Sequence, residues 1–370
     1  MLISMKKKYV HLNQSGFTLI ELMIGMVLGL FLIAAALTVL ANQRASHKIS
    51  TGLSTVQENG RFALDVMGRD IRSAGFLSTC LNSNEPELSV SAFGGAAPSV
   101  LNTFFAGIYG YEAVSDRVWL PTFNYSVATT SFPAPKGGSD IITLRLASGT
   151  PLPVIKSMSN ATDRLTVANN QNMEIFKVAV ACDATGGDIF PVSGWTVKGD
   201  GSTQIEFANA LSRLYATGSE VRPLYERAYF VAPTLDGNGS VLAGQFSLYA
   251  ADRYGSSFVT NSGIEGAPTE IARNIEALEI LYGVQSGIRK GLQNSWQTAQ
   301  AVNAGNNWQN VVAVKLRMLV KSEPGAQRDG INEASITFNG NTYNQAGDAS
   351  KDYSVRRIFE SEIALRNRTR

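Results

Sequence analysis

The stretch "SGFTLIELMIGMVLGLFLIAAALTVLA", residues 15–41, decides the fold of this chain. From Phe17 to Ala41 the only charged side chain is that of Glu21. A helix over these residues would be about 37 Å long at 1.5 Å per residue, and the core of a bilayer is about 30 Å thick. The stretch therefore predicts a single membrane-spanning helix with a carboxylate near its start.

The residues before the apolar stretch predict its orientation. Lys6, Lys7 and Lys8 precede it, and the first sixteen residues contain no acid. The positive-inside rule leaves this short terminus in the cytoplasm and places the rest of the chain on the other side of the membrane. A secretory signal would have a shorter apolar core, and a plain anchor would leave Glu21 unexplained. A third interpretation accounts for all of these features.

The motif "GFTLIE", residues 16–21, follows a Lys-rich leader and opens the apolar helix. This arrangement resembles the class III signal of type IV prepilins and the related pseudopilins. The resemblance implies that a prepilin peptidase in the inner membrane cuts between Gly16 and Phe17 and methylates the Phe17 amine. Residues 1–16 are then the leader peptide, and residues 17–41 are the half of the helix that lies in the membrane and later in the filament core.

Glu21 has a functional interpretation within this family. Ionisable residues inside a membrane usually serve function, because an unpaired charge there is costly. The resemblance implies that the carboxylate meets the N-terminal amine of a neighbouring subunit and guides its docking during assembly. The alternative is a Glu21 that extends to the cytoplasmic surface. Gly25 and Gly29 form a G-x-x-x-G pair, which predicts close packing of this helix against others.

The helix is expected to continue beyond the membrane as an amphipathic half over residues 42–79. No proline occurs between Phe17 and Thr79, and Gly75 is a candidate end signal. Apolar residues recur at spacings typical of a helix that packs one face on a globular body. They are Ile49, Leu53, Val56, Leu64, Met67, Ile71 and Ala74, with Gly60 in the missing position.

The stretch "QENGRFALDVMGRDIRSAGF", residues 57–76, narrows the family. It resembles the same helix region of PilW-type minor pilins, in which a cysteine soon follows, as Cys80 does here. The blocks "GSDIITLRLA", "CDATGGDIF", "IARNIEALEILYGV" and "RRIFESEIALRNR" also resemble that family. The resemblance is scattered over nearly the whole chain.

The remaining residues, 80–370, are predicted to form a β-rich globular domain. Alternating segments such as "SDIITLRLAS", "VVAVKLRMLV" and "RIFESEIALR" favour antiparallel sheets with one buried face. Residues 271–284 predict a short helix that runs into a strand. Surface loops are expected at about 84–104, 121–139, 285–308 and 323–352, and two lobes would divide near 215–225. The fold class is α+β, a type IV pilin-like fold with a long N-terminal helix.

The two cysteines, Cys80 and Cys182, both follow the apolar helix. An oxidising compartment outside the cytoplasm permits a disulfide between them. The alternative is two unrelated buried thiols.

Neither an enzyme nor a cofactor is predicted. The two histidines are His11, in the leader, and His47, on the helix, so the globular part has none for a Ser-His-Asp or Cys-His arrangement. No metal-ligand spacing is present, and the turn "DGNGS", residues 236–240, lacks the acids of a calcium loop. The formal net charge of +2, without a basic stripe, gives no sign of a nucleic-acid site.

The resemblance implies a minor pilin that primes type IV pilus assembly at or near the pilus tip. It would support pilus biogenesis, twitching motility, adhesion and DNA uptake. Its partners would be other minor pilins of the PilV, PilX and FimU kinds, the major pilin and a tip-associated adhesin. Two alternatives stay open. One is a J-class minor pseudopilin of type II secretion, and the other is a membrane-anchored periplasmic binding protein with an unprocessed helix.

Overall fold

A computed structural model describes most of the chain as one long helix and a body rich in strands. The described residues are 16–76, 87–89, 107–123, 134–148, 150–168, 176–254, 268–285, 295–326, 335–343 and 352–366. All structural statements below concern these ranges.

Helix α1 extends without interruption over Leu19–Ser73. This confirms the prediction of one helix with an apolar first half and an amphipathic second half. The helix ends before the predicted boundary of 79, because Ala74 is extended and Gly75 has a φ of +74°. Glycine adopts that left-handed conformation without steric cost, so the predicted end signal lies where the helix stops.

The other elements are mostly strands. In chain order they are β1 Glu87–Ser89, β2 Ile108–Ser115, β3 Val118–Leu120, β4 Ile141–Ala147, β5 Leu152–Lys156, β6 Leu165–Val167, β7 Val178–Asp183, β8 Gly186–Pro191, β9 Gly194–Val197, β10 Thr203–Glu206, β11 Glu220–Leu235, β12 Val241–Arg253, β13 Thr269–Arg273, β14 Ile275–Val284, β15 Ser295–Gln297, β16 Val311–Lys321, β17 Ile336–Phe338, β18 Asn341–Tyr343 and β19 Arg356–Ala364. A short helix, α2 Ala299–Ala304, and a 3₁₀ turn, Trp308–Asn310, lie between β15 and β16.

The C-terminal sheet carries α1. Its strands are antiparallel in the order β15-β14-β16-β19, and α1 contacts both β16 and β19. Along β16, side chains alternate as the sequence predicts, with Val314, Leu316 and Met318 fully buried and Lys315 and Arg317 half-buried. The core face of this sheet therefore lies under the helix.

A central sheet joins the C-terminal sheet from the other side of the core. Strand β11 pairs with β4 and β12, while β2 and β13 extend the sheet on either side. The prediction of one buried face is wrong for β4. Ile142 and Leu144 enter the core shared with α1, and Ile141 on the other face packs in a second cluster with Phe230 and Tyr249.

Residues 152–221 form an inserted lobe with a core of its own. Strands β5 to β10 surround this core, which includes Leu152, Phe190, Tyr215 and Val221. The first residues of β11 pair with β5 and β7, and the rest of that strand belongs to the central sheet. The lobe is an insertion between β4 and the main part of β11, and its last core residue, Val221, lies in the range 215–225 where the sequence placed a possible divide.

The helix predicted at the start of residues 271–284 is absent, which corrects that interpretation. Strand β13 pairs with β12 of the central sheet, and β14 pairs with β16 of the C-terminal sheet. Between them Asn274 has a φ of +64°, a conformation that asparagine tolerates better than most residues. The apolar spacing of this segment therefore reflects a strand that changes sheets and is buried on both faces.

Candidate processing and assembly site

The predicted cleavage site lies just before α1 and is exposed. Phe17 has 89% of its surface exposed, and apart from the adjacent residues no described heavy atom lies within 4 Å of a Cβ built on Gly16. Nothing in the described residues covers the Gly16–Phe17 peptide. A peptidase could therefore reach it without any part of the body moving aside.

Glu21 closes a capping box with Thr18. The Thr18 N–H donates to Glu21 Oε2 at 3.0 Å, and the Thr18 hydroxyl donates to the same oxygen at 2.9 Å. In return, the Glu21 N–H donates to Thr18 Oγ1 at 3.3 Å. Two N–H groups of the first turn, which have no partner within the helix, are satisfied in this way.

This local role of Glu21 was missed by the sequence interpretation, although its signal is present. "TLIE", residues 18–21, has the T-x-x-E spacing of a capping box. The carboxylate therefore has an intrachain partner before any neighbouring subunit arrives. Its pairing with the amine of another subunit stays a prediction, and any test must separate the capping role from the charge.

The membrane half of α1 has no contact with the body. Among the described residues, α1 is the one helix long and apolar enough to cross a membrane, and none of its most apolar window is buried. Gly25 and Gly29 lie on this half, and apart from the adjacent helix backbone no described heavy atom lies within 4 Å of a Cβ built on either. Their role in packing against other helices stays a prediction.

The second half of α1 is held against the body by close packing of side chains. The ring of Phe359, on β19, packs so closely on Gly60 that a Cβ there would lie 2.7 Å from the ring. Real Cβ atoms do not approach that closely, so this contact requires glycine. Val56, Ala63, Met67 and Ile71 are fully buried on the same face. Ala63 was not in the predicted stripe, whereas Leu64, which was, is only half-buried.

Charge fixes the end of α1 to the central sheet. Asp70 accepts hydrogen bonds from Arg227 Nη1 at 2.8 Å and from the Tyr229 hydroxyl at 2.6 Å. Arg227 also binds Asp252 through two nitrogens, at 2.6 and 2.7 Å. Its hydrogen bonds to Asp252 raise the pKa of Arg227 despite partial burial. The charged end of the "GRDIR" segment is thus docked on β11.

The predicted cysteine pair is described only in part. Cys182 is fully buried on β7, whereas Cys80 lies outside the described residues. A disulfide between them stays a prediction. Among the described residues, no group of three or more His, Cys, Asp or Glu side chains could hold a metal ion.

Comparison with known families gives two matches. Residues 11–37 match the model of the prokaryotic N-terminal methylation motif, and residues 229–367 match the model of type IV pilus-assembly protein W. The two matches are consistent with a PilW-type pilin. No curated protein and no solved structure matched the chain.

The matched regions follow the architecture. The first contains the predicted cleavage site and the start of α1, and the second contains β12 to β19, of which β13, β16 and β19 contact α1. The inserted lobe lies before the second region. The family matches support a minor pilin of the type IV pilus, anchored in the membrane and processed by a peptidase. They point to a structural, non-enzymatic protein.

Proposed function

We propose that this chain is a minor pilin that primes type IV pilus assembly and occupies a position at or near the pilus tip. The observation that carries the proposal is the exposed apolar half of α1, which begins at a methylation motif and projects from a PilW-like body. That half needs a lipid or protein environment, since large exposed apolar surfaces mark interaction sites.

The size of the body supports the position at the tip. Residues 152–221 add a lobe with its own core to the layers that hold α1. Bulk of this kind would crowd a helical filament, whereas at the tip no subunit packs above it. The partners in this proposal are minor pilins of the PilV, PilX and FimU kinds, the major pilin and a tip-associated adhesin.

Processing and filament membership can be tested together by mass spectrometry of pili sheared from producing cells. We expect a peptide that begins with N-methyl-Phe17, with other minor pilins as the sensitivity control. Only unprocessed chain in the membrane, with the control pilins detected, would contradict cleavage after Gly16 and favour a membrane-anchored binding protein.

The position can be tested with an epitope inserted in the exposed turn at residues 199–201, between β9 and β10. We expect gold-labelled antibody at one end of each pilus. Label along the shaft would contradict a position at the tip. Deletion of the gene should abolish piliation and twitching motility and reduce adhesion and DNA uptake. Normal pili with a loss of protein secretion would instead indicate a J-class pseudopilin.

A further inference from the structure

Strand β19 forms one edge of the C-terminal sheet. Within the described part of the chain it pairs with β16 alone, and α1 packs on the core face of the sheet. The strand has nine residues, whereas the other strands at sheet edges have three to five. Proteins usually keep such edges short or covered, because unpaired backbone groups can pair with another chain. A long open edge therefore points to a pairing partner.

The backbone of β19 alternates between bonds to β16 and groups that point away from it. The Leu365 N–H donates to the Val312 oxygen at 2.9 Å, and the Ser322 N–H donates to the Val355 oxygen at 2.8 Å. The register between the strands is continuous, so the odd-numbered residues of β19 bond to β16. The even-numbered residues within 358–364 direct their N–H and C=O groups outwards, and within the described residues no hydrogen bond engages these groups. This leaves about 20 Å of open edge.

Acidic side chains line this edge on the outer face of the sheet. Glu360 and Glu362 have 47% and 56% of their side chains exposed. They share Lys315, whose Nζ lies 3.5 Å from Glu360 Oε1 and 2.8 Å from Glu362 Oε1. Arg317 pairs with both Glu360 and Glu279. In these rows three carboxylates therefore meet two cations, which leaves an unbalanced negative charge beside the open backbone.

We propose that the free edge of β19 binds an extended segment of another protein as an added antiparallel strand, with Lys or Arg opposite Glu360 and Glu362. The backbone hydrogen bonds hold the segment, and the cross-strand ion pairs select it. Ile358 is 39% exposed and takes an apolar neighbour from the same segment. The proposal concerns the folded body, and it does not depend on the position at the pilus tip.

A second copy of β19 fits this edge less well than a basic segment. In the antiparallel register that pairs the whole of residues 358–364, Glu360 of each copy would lie opposite Glu362 of the other. Like charges directly opposite each other are destabilising. The same acids therefore oppose pairing between copies and favour a segment of opposite charge.

The test uses the full chain in detergent and a fluorescent peptide as long as β19. Threonine occupies every second position of the peptide, and the residues between are alanine, lysine, lysine and valine, placed to face Ala364, Glu362, Glu360 and Ile358. Fluorescence anisotropy measures binding. We expect saturable binding and slower hydrogen exchange within residues 356–364. Binding no tighter than that of a peptide with the same residues in scrambled order would overturn the proposal.

Methylation of the peptide backbone separates an added strand from a purely electrostatic contact. N-methyl groups on the two lysines and the valine remove the N–H groups that donate to β19, so we expect binding at least about tenfold weaker. N-methyl groups on the threonine before each of these residues remove N–H groups that point away from β19, and binding should change little. Equal losses from the two methylated peptides would overturn the added strand.

Three variants locate the site on the protein. Glu360→Gln combined with Glu362→Gln should weaken binding about threefold to tenfold, because two cross-strand ion pairs are lost. Glu362→Pro removes one outward N–H, at a position where an edge strand tolerates proline, and should weaken binding about tenfold. Glu58→Gln removes an exposed acid from α1 and should bind as the wild type does. Wild-type binding by the double glutamine variant would contradict the selection of basic residues.

Sedimentation of the full chain in detergent tests the second copy. We expect no dimer that depends on this edge. A wild-type dimer that Glu362→Pro abolishes would assign the edge to pairing between copies and overturn the basic segment. Detection of N-methyl-Phe17 in sheared pili would be unaffected by any failure confined to β19.

Discussion

Along α1, the first half leaves its large apolar side chains exposed, whereas the second half buries a residue at nearly every turn. Phe17, Leu32 and Ile33 are all more than half exposed, while Val56, Met67 and Ile71 are fully buried. The glycines of the two halves differ in the same way. No described atom outside the adjacent helix backbone lies near Gly29, whereas Gly60 lies against the ring of Phe359. The first half of this continuous helix therefore requires other molecules to cover its apolar side chains, whereas the second half has its packing partners within the chain.

The comparison also separates two kinds of acid. Within the described residues Glu21 forms hydrogen bonds with Thr18, its neighbour in the first turn, whereas Asp70 is bound by two side chains of β11. We therefore expect changes in the first half to affect assembly without changing the free energy of unfolding. Changes in the second half should lower the free energy of unfolding and leave assembly of the folded protein unchanged.

The largest effect on assembly is expected from Glu21. Glu21→Ala should still be cleaved after Gly16 but should enter pili at least about tenfold less than the wild type, a loss that corresponds to about 1.4 kcal/mol. The measurement is quantitative mass spectrometry of sheared pili beside the membrane fraction. Glu58→Ala is the matched control, because Glu58 is an exposed acid on the docked half of the same helix.

A second variant separates the charge of Glu21 from its capping role. Glutamine also completes a capping box, so Glu21→Gln keeps the cap and removes the charge. If the carboxylate pairs with the amine of a neighbouring subunit, Glu21→Gln should fail as Glu21→Ala does. Normal incorporation of Glu21→Gln would mean that the cap, and not the charge, is what assembly requires.

The next effect concerns the glycines. Gly60→Leu should lower the free energy of unfolding by about 2–3 kcal/mol, because the Phe359 ring must leave its position on the helix. Urea unfolding of the full chain in detergent measures this loss. Gly29→Leu is the control and should leave the unfolding free energy unchanged while reducing incorporation into pili.

A compensating change would show that the contact between Gly60 and Phe359 is the cause. In Gly60→Ala, replacing Phe359 with leucine should recover part of the lost stability, since residues in contact do not act additively. If Gly60→Leu and Gly29→Leu lowered the free energy of unfolding equally, the two halves of the helix would not differ as proposed.

A smaller effect is expected from the charge that docks the end of the helix. Asp70→Asn should lower the unfolding free energy by about 1–3 kcal/mol, because it weakens hydrogen bonds from Arg227 and Tyr229. Asp65→Asn is the control, since Asp65 pairs with Arg69 on the exposed side of the helix and such pairs contribute little. A similar loss in both variants would mean that Asp70 does not anchor the helix.

Local patterns in the sequence predicted most of α1 and the strands beneath it. Gly75 signalled the end of the helix, and the alternation along residues 311–320 predicted which side chains of β16 face the core. Patterns of this kind depend on neighbouring residues alone. They failed for residues 271–284, where burial on both faces of a strand produced spacings that resemble those of a helix.

Long-range partners could not be predicted. Asp70 and Arg227 are 157 residues apart, and nothing in the "GRDIR" segment indicates which strand its acid would meet. In the sequence, only a possible boundary near 215–225 indicated the inserted lobe, because apolar and polar residues alternate along its strands as they do along those of the central sheet. At the candidate site, the cleavage motif was visible in the sequence, but the contact between Gly60 and Phe359 depends on a strand brought next to the helix by the whole fold.

The smallest expected effect lies in the body, at the junction of the two sheets. The Asp140 carboxylate accepts hydrogen bonds from the N–H groups of Ala113, on β2, and Ile280, on β14. Burial, together with the charge of Glu112, raises the pKa of Asp140 to about 8. Since the folded state then holds a proton that the unfolded state releases above about pH 4, this group makes the protein less stable as the pH rises from 4 to 8.

Glu112→Gln removes the neighbouring negative charge and should lower the pKa of Asp140. We expect the free energy of unfolding of this variant to exceed that of the wild type by about 1 kcal/mol at pH 8. No gain is expected near pH 4, where Asp140 is protonated in the folded state of both chains. Urea titrations at the two pH values measure the difference. A gain of the same size at both values would mean that packing, and not charge, is responsible. Because this junction is far from the free half of α1, incorporation into pili should not change; a loss of incorporation would show that the body and the assembly half are not independent.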